Sequence, residues 1–309
     1  MEFIDAHFHI WDTTDAARTG QSVDNLGMPG KTIPQYSAGK YKEDLAEVKG
    51  LNMKCKGCVW VECLSTIPLA EASWASGECL KLLSGPLNEF KIVARCDLSD
   101  EDVRKRLRRL NTVPDLTGIR QILNHHPTES KLTYPLVERG DYMQDEDWLE
   151  GFRLLGDLGL SFDLQVYPHQ LEEFAAVARR YPNTNTVLNH LGMLSLKEPS
   201  VVDTWRKGMR ALAECDNVSV KISMLDYIIP DWIRDKAARR EMRDYVREVI
   251  ELFGPHRCMF GSNFPVEKCT GYAMGDLYSA FQEFVSDLDE ESKKQLFYGT
   301  AYRFYKFEE

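Results

Sequence analysis

Two histidines, His7 and His9, stand two residues apart near the start of the chain, in Asp5-Ala6-His7-Phe8-His9-Ile10. A neutral imidazole has one nitrogen lone pair for a metal and one N–H for an oxyanion, so such a pair suits either task. On a strand, successive side chains point to opposite faces. Asp5, His7 and His9 are then expected on one face, and Ile4, Ala6, Phe8 and Ile10 on the other. A polar inner face and an apolar outer face suit a parallel barrel strand, with helices outside and a site at one end. A half-exposed edge strand would show the same alternation, so the rest of the chain decides.

The elements that would position the pair follow in regular order. Short apolar runs at 56–62, 90–97, 116–123, 160–167, 186–191, 217–223 and 257–263 read as strands. The segment 160–167 alternates most clearly, with Phe162, Leu164 and Val166 against Ser161, Asp163, Gln165 and Tyr167. Helical patterns fill the intervals, at about 41–53, 69–84, 170–181, 201–215 and 230–254 among others, and two more close the chain near 273–286 and 289–306. Eight strand–helix units predict an α/β protein: a single (β/α)8 TIM barrel over residues 1–309. A doubly wound open sheet would prefer a Gly-rich phosphate turn after its first strand, and none is present. Two long irregular stretches, 13–40 and 124–147, are expected to lie over the C-terminal mouth; the first contains Gly27, Pro29 and Gly30.

Catalytic groups in such a barrel sit at the C-terminal strand ends. Those ends are His7 and His9, Glu62, Arg95 and Asp97, Arg120, Gln165, His190, Lys221 and Ser223, and Asn263. Polar groups are costly to bury unpaired, so their concentration at one end argues for a site. His7, His9 and His190 could hold one divalent ion, zinc or manganese, with an open coordination position. They could equally polarise a carbonyl without metal. Arg120 offers a bidentate fork for a substrate carboxylate. Glu62, Gln165 and His169 are further candidates to bind substrate, with His125, His126 and His256 weaker.

The net charge is −10 and the pI about 5.3, which disfavours nucleic acid and anionic membrane as partners. No stretch approaches the roughly 20 apolar residues of a membrane helix, so a soluble cytoplasmic protein is expected. The eight cysteines are irregularly spaced, and no second pair completes a zinc site with Cys55 and Cys58; core thiols are expected.

Asp-Ala-His-Phe-His-Ile-Trp-Asp at 5–12, Gly-Ile-Arg-Gln at 118–121, Asn-His-Leu-Gly at 189–192 and Phe-Gly-Ser-Asn-Phe-Pro-Val at 260–266 together resemble the amidohydrolase superfamily. The nearest likeness is to the amidohydrolase-2 branch, which includes sugar lactonases and 2-pyrone-4,6-dicarboxylate lactonase. The resemblance implies that His7, His9 and His190 bind metal or substrate carbonyl and that Arg120 binds substrate. Asn263 stands where the family usually has the aspartate that takes a proton from water, and an amide cannot take it. No lysine ends strand four, and Gln165 replaces a histidine on strand five, so a two-metal site is not expected. The base must then come from Glu62, Asp97, Asp163 or a histidine. The leading expectation is a hydrolase opening a small lactone or related cyclic ester, carboxylated or polyhydroxylated. The alternatives are a metal-dependent decarboxylase of an unsaturated carboxylic acid and a non-catalytic ligand-binding barrel. A homo-oligomer is compatible with each.

Overall fold

The computed structural model describes residues 1–26, 33–83, 87–195 and 199–308. Gly27, Pro29 and Gly30 of the first long stretch lie outside the described residues. Eight parallel strands form one sheet in sequence order: β1 Glu2–Phe8, β2 Lys54–Val61, β3 Glu89–Arg95, β4 Leu116–Ile122, β5 Ser161–Gln165, β6 Thr186–Leu188, β7 Val218–Ile222 and β8 Cys258–Phe260. The ring closes between β8 and β1, where Asn263 N–H donates to the His7 carbonyl (2.7 Å) and His9 N–H to that of Phe264 (2.7 Å). The principal helices are α1 Ala38–Glu47, α2 Pro68–Cys79, α3 Val103–Leu110, α4 Glu146–Leu158, α5 Leu171–Arg180, α6 Pro199–Ala213, α7 Lys236–Phe253 and α8 Met274–Phe284. This is the expected (β/α)8 barrel. Among the described residues no helix is long and apolar enough to cross a membrane.

Local sequence accounts for the helix limits. In α3, Val103, Leu107 and Leu110 are buried, while Arg104 and Arg106 turn outward to Glu150 and Asp100. The basic run is therefore a solvated face. Helix α7 starts six residues later than its pattern suggests. Asp231 turns the chain at φ +61°, and the Asp235 carboxylate caps the N–H groups of Ala237 and Ala238 at 2.9 and 2.8 Å. The closing helix is broken, with a π turn at Gln295–Gly299 between two short α segments. Beyond it, Tyr305 and Phe307 plug the N-terminal end of the barrel, packing on Ile4, Ala6, Val59, Val61, Val93, Val187 and Met259.

The first strand does not alternate as expected. Asp5 pairs with Cys58 and Phe8 with Trp60, so three residues of β1 oppose two of β2: a β-bulge. Ile4 and Ala6 join the barrel interior, whereas Phe8 and Ile10 pack outside against the helices. Asp5 faces outward, bonded by Tyr41 of α1 (2.7 Å) and by Ser262 Oγ and N–H (2.6 and 2.7 Å). His7 and His9 face inward.

Gly261 lets β8 approach this bulge. A Cβ there would lie 2.8 Å from His7 Cβ and 2.9 Å from His7 N. Gly261→Ala is expected to destabilise the fold by about 1–3 kcal/mol, the usual range for overpacking. Urea unfolding measures this; an unchanged midpoint would mean that β8 does not press on the bulge.

Candidate active site

The bulge brings His7 and His9 together with Nε2 atoms 3.2 Å apart. His190 joins them from the turn after β6, its ring centroid 4.7 Å from that of His7. It sits at φ +57°, and Asn263, after β8, at φ +55°. Left-handed backbone is uncommon outside glycine, though Asn and His tolerate it better than most. Ser223, just past β7, places its hydroxyl 2.9 Å from His190 Nδ1.

A layer of charge lies beneath the rings. Lys221 on β7 and Asp163 on β5 form an ion pair with both side chains fully enclosed. The Tyr305 hydroxyl donates to Asp163 at 3.0 and 3.1 Å. Burial pulls the Lys221 ammonium down to about 8, with Asp163 opposing. Lys221 Nζ lies 3.3 Å from His7 Nδ1. Burial, then Lys221, holds His7 well below the ordinary imidazole range. Burial, then Arg120, does the same for His190, and takes His9 to about 3. All three rings are therefore neutral at neutral pH.

Their tautomers follow from the partners. An ammonium can only donate, so His7 accepts at Nδ1 and carries its proton on Nε2. His9 Nδ1 faces the Val61 carbonyl at 2.7 Å and must donate, leaving Nε2 bare to accept from His7. Two imidazole nitrogens at this separation could span one ion. In this pair of tautomers the His7 Nε2 hydrogen is committed to His9 Nε2, so holding one ion through both Nε2 atoms would require that proton to leave. Among the described residues no group of three His, Cys, Asp or Glu side chains has ligand geometry.

Arg120 is largely occupied. Its Nε donates to Glu62 Oε1 and a terminal nitrogen to the Glu62 carbonyl, both at 2.6 Å; the other terminal nitrogen reaches Gln165 Oε1 at 3.4 Å. The second Glu62 oxygen accepts from Leu64 N–H at 2.6 Å. Glu62 is thus the clamp of Arg120 rather than a free substrate ligand or base. Asp163 is held by Lys221 and Tyr305, and Asp97 accepts from Ser99 and Gln121. Glu62 and Asp163 are bonded on both oxygens and cannot serve as the base without breaking such contacts, whereas the bonds to Asp97 all fall on Oδ1. His169 lines a pocket of about 260 Å³ with His126, Tyr167, Met193 and Tyr227. The sequence reading did not foresee Tyr305 or Glu71. Glu71 of α2 accepts from Gln21 Nε2 (2.8 Å) and Cys63 N–H (2.9 Å) beside Glu62.

The barrel thus gathers neutral imidazoles and a clamped arginine at the C-terminal ends of its strands. The amidohydrolase family model matches residues 4–307, and the chain belongs to that family. It is 32% identical over 312 residues to the uncharacterized protein y4mH of Sinorhizobium fredii, covering 99% of each chain. It is 28% identical over 313 residues to an L-fucono-1,5-lactonase of Burkholderia ambifaria, covering 99% of this chain and 96% of that one. A crystal structure of an amidohydrolase from Burkholderia multivorans with bound zinc superposes with a TM-score of 0.79 at 20% identity, over all of both chains. The protein is a hydrolase of the amidohydrolase superfamily.

Burial, then Glu62, raises the Glu71 carboxyl from 4.5 to about 8. The native state then keeps a proton that the unfolded chain releases above pH 4.5, so this group's contribution is complete below that pH and lost toward pH 8. In Glu71→Gln the loss disappears. The variant should gain on the wild type by up to about 1.4 kcal/mol per pH unit across that window in urea unfolding. A difference independent of pH would contradict the assignment.

Proposed function

We propose that the protein hydrolyses a small polyhydroxylated lactone or related cyclic ester without a metal ion. The observation that carries this is the meeting of three neutral rings, His7, His9 and His190, at one mouth. With Ser223 O–H donating to Nδ1, His190 presents Nε2–H to the lactone carbonyl. A donor held in place before the reaction stabilises the oxyanion as water adds, because it need not reorganise. Arg120 and Gln165 offer the remaining polar contacts for a substrate hydroxyl or carboxylate. The sugar lactone in the name of the Burkholderia relative supports the polyhydroxylated class. A decarboxylase would instead release CO2 from a substrate that keeps its ring.

A panel of five- and six-membered sugar lactones and a pyrone, followed by acid release, tests the reading. Wild-type protein should open at least one, and dialysis against a chelator should leave the rate unchanged. His190→Ala should lower kcat by about 10²–10³, as for the loss of one oxyanion donor. No hydrolysis across the panel, or an undiminished His190→Ala, would remove the proposal.

A further inference from the structure

The amide at Asn263 cannot take a proton from water, and the side chain four residues on can. Glu267 lies in the short helix Val266–Cys269, whose first turn hangs from Asn263: Val266 N–H donates to the Asn263 carbonyl at 2.8 Å and Glu267 N–H at 3.4 Å. Residues four apart in such a turn share a side, so the Glu267 carboxyl stands by the Asn263 amide. That amide also interacts with the His9 ring, and so spans from the imidazoles to Glu267.

Glu267 is only 1% exposed, and no donor reaches either carboxyl oxygen at full hydrogen-bond geometry; the Asn263 amide bears on it, with Nδ2 likewise short of full geometry to any partner. Two other buried carboxyls are served on both oxygens, Asp5 by Tyr41 and Ser262 and Glu62 by Arg120 and Leu64, and Glu71 is served on one, by Gln21 and Cys63. A buried carboxyl kept for the fold alone should find donors too, since leaving it unsatisfied is costly. Two orphaned groups side by side, one an acceptor and one a donor, match the two faces of a water molecule.

We propose that Glu267 is the general base of the reaction, acting on a water held between its carboxylate and Asn263 Nδ2–H. This deepens the hydrolase reading and rests on it. The water oxygen accepts from Asn263 and forms a bond to the lactone carbonyl carbon. Its proton passes to Glu267 while the carbonyl π pair moves to the oxygen facing His190. The tetrahedral intermediate collapses, the ring C–O bond breaks, and the leaving alkoxide takes the proton from Glu267. Product is the hydroxy acid, which ionises in solvent, and Glu267 returns to its starting state. Burial, then the Asp226 carboxylate on the loop after β7, raises Glu267 to about 8, close to where a base works best near neutral pH. Asp226 is in turn held by the Tyr272 hydroxyl at 2.5 Å, and the neighbouring Lys268 is tied to Asp44.

The test uses the lactone that wild-type protein opens. Glu267→Gln should lower kcat by about 10²–10⁴, the span of general-base catalysis, with KM changed little. Glu267→Asp should retain part of the rate. Wild-type kcat should climb with pH toward about 8, and this rise should be absent from Glu267→Gln. A high-resolution crystal structure of the wild type should show one water bonded to both Glu267 and Asn263 Nδ2. Wild-type hydrolysis with an undiminished Glu267→Gln overturns this assignment alone. A crystal structure with Asn263 bonded directly to Glu267 overturns it whether or not a lactone has been found. A wild type inert toward every lactone overturns the hydrolytic reading, and this assignment with it.

Discussion

Between Asp5 and Phe8 the first strand uses three residues where its neighbour uses two, and the geometry of the pocket follows from that extra residue. Without it, strict alternation would send His7 and His9 outward with Asp5. With it, Asp5 turns to the helices while both imidazoles turn inward. The outward Asp5 then does structural work. It takes two hydrogen bonds from Ser262 and one from Tyr41, and so fastens the end of β8 to β1 at the point where the ring must close. Closure and site construction are one event: the backbone bonds that join the last strand to the first are made by His7, His9, Asn263 and Phe264.

The rings would have no fixed hydrogen-bond direction without what lies around them. The enclosed Lys221–Asp163 pair is costly in isolation, since desolvation opposes it, and Tyr305 completes the carboxylate's bonding. Lys221 dictates the proton on His7, the Val61 carbonyl dictates the one on His9, and the two rings then bond to each other in one sense. Through Tyr305, a residue from the last turn of the chain bears on a histidine at the seventh position. The Glu62–Arg120 clamp does the same for the arginine, fixing its plane and leaving one terminal nitrogen beside Gln165.

Much of this could be read in the amino-acid order, and the limits are instructive. All eight strands were visible, because apolar runs between turn residues are a local signal. The inward set of the fifth strand, Asp163 and Gln165 against Phe162 and Leu164, was plain from its alternation. The meeting of His190 with His7 followed from strand order. The bulge could not be read, since a one-residue slip leaves composition untouched and shows only in the pairing with a strand some fifty residues away. Nor could the occupation of Glu62: a carboxylate at a strand end looks the same whether it faces a substrate or an arginine two strands along. Glu267 was missed because it lies past the eighth strand, in a short turn that carries no periodic signal. The late start of α7 came from Asp231 and Asp235, a turn and a cap that outweighed the apolar pattern before them.

The central claim, that one bulge delivers two neutral imidazoles in opposite tautomers to the mouth of the barrel, can be observed directly. Nitrogen-15 NMR of the histidine side chains in metal-free protein at neutral pH reports which ring nitrogen carries hydrogen. His9 should be protonated at Nδ1 alone and His7 at Nε2 alone. An imidazolium signal from either residue, or the same tautomer in both, would contradict the account.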